Sequence, residues 1–171
     1  MKIRHLQVCR IATVALTLGI LCACGGKQPT TVERIDSLKK QVEHDAVALQ
    51  EIEIKDYPRL EQEFMFCDSI LPYTDSAHWD EYFQKLNLTH AYLKQFSDLN
   101  AEMRRKLDYS LQQLESLKAD LSSHFLTDSL AQEYLETESH VADTLHNRIL
   151  YFQDRFANCH KELATIKKAL P

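Results

Sequence analysis

The sequence predicts an all-α chain, and three observations carry the prediction. No glycine occurs after Gly26, Pro58 and Pro72 are the only prolines between residue 30 and the last, and apolar residues recur at three- and four-residue steps. Tight hairpins and phosphate-cradling loops need the positive φ or close backbone approach that glycine supplies. Three-and-four spacing instead gives each helix one buried stripe. Long stripes with short breaks predict an antiparallel up-down-up three-helix bundle with coiled-coil-like packing. A parallel oligomer, in which each chain offers one stripe, is the rival arrangement.

The first helix opens at Thr30 and Glu33, which have the spacing of a capping box. Its stripe is Ile35, Leu38, Val42, Leu49 and Ile52, resuming at Tyr57, Leu60, Phe64, Cys67 and Leu71. Pro58 interrupts it and either kinks one long helix or starts a second at its first turn; the reading adopted is one kinked helix. After Leu71-Pro72-Tyr73-Thr74, Asp75 or Ser76 is positioned to cap a second helix that runs to about Leu121. Its stripe is Phe83, Leu86, Leu93, Phe96, Leu99, Met103, Leu107, Leu111, Leu114, Leu117 and Leu121. Ser122 to Phe125 form a break, and Thr127 caps the third helix. There Leu130, Tyr134, Val141, Leu145, Ile149, Phe152, Phe156, Cys159, Leu163, Ile166 and Leu170 continue the pattern. Helices of about 40 to 45 residues would each be about 60 to 70 Å long.

The N-terminus has a different character. Lys2, Arg4 and Arg10 precede an uncharged run from Ile11 to Leu21, the layout of an export signal. That run is too short for a permanent membrane helix, which takes roughly 20 residues. Leu21-Cys22-Ala23-Cys24 then resembles the bacterial lipobox, an aliphatic, a variable and a small residue before the cysteine that is acylated. Cys22 departs from the small or hydroxyl residue usual at the variable position. The resemblance implies cleavage before Cys24, whose acyl chains would hold the protein to a membrane. Ordinary secretion by cleavage at a small-x-small site is the alternative, and Leu21 sits where that cleavage requires a small residue. The organisation is therefore residues 1–23 as signal, 24–30 as tether and 31–171 as the helical domain. Gly25 to Pro29 span at most about 18 Å, which keeps the domain close to the surface. Two or more acyl chains would make the attachment firm.

Removing Lys2, Arg4 and Arg10 from the 20 basic residues leaves 17 against 25 acidic ones, a net charge of −8. Such a domain is not drawn to nucleic acid or anionic headgroups by bulk charge. The lipobox and helical composition together are similar to the small coiled-coil-rich lipoproteins of Bacteroidota, a resemblance that implies no activity. Gly25-Gly26-Lys27-Gln28 lacks the acidic stretch usual in surface-displayed lipoproteins of that group, and residue 25 is not Asp. Both features imply an outer-membrane anchor facing the periplasm.

Within the domain, Cys67 and Cys159 fall on the apolar stripes, and the up-down-up arrangement sets their heights only about 6 Å apart. In an oxidising envelope compartment they form either a disulfide or a pair of buried thiols. Phe66, Tyr73, Trp79, Tyr82 and Tyr151 belong to an aromatic group at the end farther from the lipid, read either as an exposed partner-binding patch or as wider core packing. Asp143 and His146, with His140 near, have metal-ligand spacing on one helix face. Surface solvation is the reading adopted for them, since two or three such residues on an exposed helix face are common and no Glu-x-x-His pair is present. Glu133, Glu136 and Glu138 read as a solvated face rather than as an acid-base pair. No Gly-x-Ser-x-Gly, Walker or His-Glu-x-x-His motif occurs, and no cofactor is implied. The sequence therefore points to a non-enzymatic envelope lipoprotein that scaffolds or binds another envelope protein. The alternative is a helical carrier of an apolar ligand or lipid, which a pocket larger than about 300 Å³ would favour.

Overall fold

A computed structural model describes residues 29–73 and 77–170, and among these it contains helices and no strand. Helix α1 spans Thr31–Glu51, α2 Tyr57–Ile70, α3 Trp79–Ser122 and α4 Asp128–Ala169. A π-helical turn, Ile52–Asp56, joins α1 to α2, and a 3-10 turn, Leu71–Tyr73, follows α2. Residues 31–73 are thus one uninterrupted helical segment, and the described chain has three long segments. The signal, Cys24, most of the tether and the two cap candidates Asp75 and Ser76 lie outside the described residues; α3 begins at Trp79, with His78 as its N-cap.

The predicted capping box is present. Glu33 N–H donates to Thr30 Oγ1 at 3.2 Å, and Thr30 N–H donates to Glu33 Oε2 at 2.7 Å. Two of the otherwise orphaned donors at this helix start are so satisfied. Thr127 caps α4, accepting from Leu130 N–H at 3.4 Å. Between α3 and α4 the chain reverses without glycine. His124 takes the left-handed conformation with φ 61°, while Phe125 N–H bonds Asp120 O at 2.9 Å and His124 N–H bonds Leu121 O at 3.2 Å. These two bonds make a Schellman cap, in which the left-handed position ordinarily holds glycine.

The core follows a strict alternation of three- and four-residue steps. On α4 it runs Ala131, Leu135, Ala142, Leu145, Ile149, Phe152, Phe156, Cys159, Leu163 and Ile166, all buried, with Glu138 at the step between Leu135 and Ala142. On α3 the same rhythm joins Leu86, Thr89, Leu93, Phe96, Asn100, Met103, Leu107, Ser110, Leu114 and Leu117. Phe96, Phe152 and Phe156 meet edge to face with centroids 5.1 to 6.1 Å apart.

The first segment keeps the rhythm from Thr31 to Ile52 and then steps five residues to Tyr57 before resuming at Leu60, Phe64, Cys67 and Leu71. The π turn supplies the extra residue: Tyr57 N–H bonds Ile52 O, five residues back. Without it the inward positions would be Asp56, Arg59, Glu63 and Phe66. The insertion returns Leu60 and Cys67 to the core, and it falls where Pro58 has no N–H to give.

Three expected core positions are corrected: Phe83, Leu130 and Tyr134 are exposed. Counting back from Leu145 in three- and four-residue steps lands on Ala131 and Leu135, one residue beyond Leu130 and Tyr134, and Tyr82 rather than Phe83 packs on the core.

Contacts between segments fix their register. Thr31 meets Gln132, Gln41 meets Asp143, Asp45 meets His146 and Glu63 meets His160, the numbers rising together. Across the first segment and α3 the order is opposed, with Asp36 to Lys118, Lys39 to Glu115 and Glu53 to Asn100. It is opposed again between α3 and α4, with Lys85 to Glu162 and Ser110 to Glu138.

Candidate functional site

The aromatic residues singled out by sequence separate into two groups. Tyr73, at the end of the first segment, is 89 % exposed. Trp79 and Phe83, one turn apart at the start of α3, stack with centroids 5.1 Å apart and planes 11° apart; Phe83 is 44 % exposed. Phe66 is exposed on α2 beneath the ammonium of Lys167, which lies 5.0 Å from its centroid. Tyr82 and Tyr151 do not join this surface, because both are half-buried against the core. Tyr151 packs edge-on to Tyr92 at 6.2 Å and Phe152 at 5.4 Å, and the Arg155 guanidinium lies 5.2 Å from its centroid. Cys67 is level with Leu163, so Tyr151 sits twelve residues lower on α4, about 18 Å away.

In the structure Cys67 and Cys159 are both buried free thiols. Cys67 Sγ donates to Leu163 O at 3.8 Å, one turn along α4 from Cys159, while Cys159 is engaged by Thr89 of α3. Burial pushes both thiols above their ordinary range, which leaves them poor nucleophiles.

Two histidines, His160 and His146, bridge helices, and for His146 this corrects the expectation of surface solvation. His160 Nδ1 lies 2.7 Å from Glu63 Oε2, and Arg59 Nε lies 3.1 Å from Glu63 Oε1. Burial works to raise the Glu63 carboxyl, but the His160 hydrogen bond and the Arg59 contact outweigh it and hold the group below its ordinary value. His146 Nδ1 lies 2.8 Å from Oδ1 of Asp45, whose side chain is 2 % exposed and occupies a core step between Val42 and Leu49. Asp45 Oδ2 is buried with no partner. Asp143, the other half of the candidate metal face, accepts from Gln41 at 3.4 Å instead. Glu138 accepts from Ser110 across the core at 3.1 Å.

Asp45, Thr89, Asn100 and Ser110 were not singled out from the sequence, and Glu138, expected on a solvated face, instead occupies a half-buried core step. The signal was present as gaps in the apolar stripes: Val42 to Leu49 and Leu86 to Leu93 are each seven residues apart, and a heptad places an inward residue between them.

Two hollows indent the surface. One of about 280 Å³ lies between α2 and α3, lined by Tyr57, Glu61, Phe64, His90 and Leu93 among others. The other, of about 180 Å³, lies between α3 and α4 near Leu117 and Tyr134. Both are smaller than the roughly 300 Å³ at which ligand pockets begin. Among the described residues no helix is long and apolar enough to cross a membrane, and no group of three or more His, Cys, Asp or Glu side chains could hold a metal ion. No family model matches the chain, and no curated protein or solved structure matches it either.

Proposed function

We propose that the mature chain is a lipid-anchored envelope protein, acylated on Cys24 and held at the outer membrane facing the periplasm, that acts as a non-enzymatic scaffold or protein-binding module. In this reading the helices form an antiparallel up-down-up bundle whose first helix bends at Pro58, and the aromatic end stands away from the lipid. The reading involves no cofactor, metal or nucleic acid. The observation that carries it is the exposed aromatic group of Tyr73, Trp79, Phe83 and Phe66 on a domain whose core is otherwise filled. Large apolar side chains left in water are the kind of surface that partners cover, and this group gathers four of them around the first connection, while Phe125, Leu130 and Tyr134 are exposed at the opposite end. A carrier of an apolar ligand is the second reading and rests on the hollow between α2 and α3.

In-cell photocrosslinking tests the two. A crosslinker placed at Tyr73 or Phe83 is expected to capture a discrete envelope protein, whereas one at Tyr109, exposed about two-thirds of the way along α3, captures none. Capture of lipid alone would replace the scaffold by the carrier, and equal protein capture at Tyr109 would remove the aromatic end from the account.

A further inference from the structure

We propose that Arg155, set against the rings of Tyr92 and Tyr151 on the seam of α3 and α4, is the anchor of a binding site for an oxyanion, the carboxylate or phosphate group of a ligand. Its guanidinium carbon lies 5.7 Å from the Tyr92 centroid and 5.2 Å from that of Tyr151. The Nε is buried and makes no hydrogen bond, and among the described residues no carboxylate pairs with the group. Cations that bridge helices elsewhere are matched: Lys39 by Glu115, Lys85 by Glu162, Arg104 by Glu53 and Lys118 by Asp36.

The seam itself shows what is missing at Arg155. Lys85, seven residues before Tyr92, meets Glu162, seven after Arg155, at 2.7 Å. The register that gives Lys85 an acid gives Arg155 a tyrosine ring. Neither phenol hydroxyl has a partner among the described residues, and neither is buried. The two rings are 79° apart with centroids 6.2 Å from each other, so the guanidinium lies beside both rather than sandwiched between them, and its terminal N–H donors are left unspent at the surface of an otherwise acidic domain. A guanidinium set against two aromatic rings is partly stripped of water, the condition under which a charge-assisted oxyanion contact is strongest. The site lies apart from the aromatic end and does not depend on that end having a partner.

The test uses purified, acylated mature protein in neutral detergent with 13C-labelled tyrosine rings, the two signals assigned from Y92F and Y151F. Inorganic phosphate and acetate are titrated separately against sodium chloride of equal ionic strength. The Tyr92 and Tyr151 ring signals are expected to move saturably in at least one arm and to stay in place with chloride. Phosphate acting alone identifies a phosphorylated ligand class, and acetate acting as well identifies a carboxylate. Arg155→Gln is expected to weaken the response at least about tenfold, and Arg155→Lys, which keeps the charge and loses the fork, to fall between; the lysine variant alone reads the site if the glutamine variant does not fold. No saturable movement in either arm, or the same movement with Arg155 replaced, overturns the proposal.

Discussion

Replacing Asp45 by leucine is expected to stabilise the protein, although it removes a hydrogen bond. Asp45 fills a core step between Val42 and Leu49, its side chain is 2 % exposed, and one carboxylate oxygen has no partner. The bond to His146 contributes about 1.5–3 kcal/mol. Against it stand the cost of holding a carboxylate out of water with one oxygen unsatisfied and the roughly 1.5–3 kcal/mol that burying a leucine side chain contributes. His146 is 35 % exposed and recovers its hydration when the partner goes. The net expectation for Asp45→Leu is a gain of about 1–3 kcal/mol, or roughly 3 °C in Tm per kcal/mol for a domain of this size. His146→Ala has the opposite sign: it strands the carboxylate and costs about 1–3 kcal/mol. In the Asp45→Leu background the same substitution should cost less than about 0.5 kcal/mol, since no charge is left to strand. Thermal unfolding followed by circular dichroism at the helix minimum measures all four proteins. A lower Tm for Asp45→Leu, or an equal cost of His146→Ala in both backgrounds, would refute the reasoning.

Three further outcomes follow from the geometry. Deleting Lys55 from the π turn together with Pro58→Ala joins the two halves of the first stripe into one heptad, so stability should change by no more than about 1 kcal/mol; deleting exposed Glu43 rotates every earlier stripe residue by about 100° and should cost more than about 3 kcal/mol, and denaturant melts compare the two. His124→Gly, at φ 61°, relieves a left-handed side-chain clash and should raise stability by about 1 kcal/mol in the same assay. Glu63 has a folded pKa held below its ordinary value of 4.5, so its contribution is present above that value and lost as pH falls through the folded one. Glu63→Gln should therefore lower Tm at pH 7, and a Tm-against-pH series should show the difference closing as pH falls below 4.5.

Sequence pattern and structure part at identifiable residues. Helix starts at Thr30 and Thr127 were readable because a side-chain oxygen three residues before an N–H is a local device, independent of tertiary context. The phase of α4 was misjudged near its start because its core there uses Ala131 and Ala142, small residues that contribute little to an apolar stripe, while larger Leu130 and Tyr134 stand beside the stripe. The five-residue step from Ile52 to Tyr57 was visible, yet both a kink and a second helix start accommodate a proline. A π turn that inserts one residue differs from them only in which carbonyl Tyr57 N–H reaches. The Asp45 pair and the Arg155 setting depend on side chains about one hundred residues and sixty residues apart in the chain, and on a register that only packing of whole helices establishes. The gaps in the stripes marked where polar groups enter the core; they did not indicate which partners would meet them.

The account rests on acylation of Cys24, and the intact mass of the membrane-extracted chain tests it most directly, read beside incorporation of an alkyne-tagged palmitate. The wild-type protein is expected to begin at Cys24, to carry the mass of its acyl chains and to take up the tag, while Cys24→Ala keeps an uncleaved N-terminus and takes up none. A mature chain beginning elsewhere without added acyl mass, or tag retained by Cys24→Ala, would contradict it.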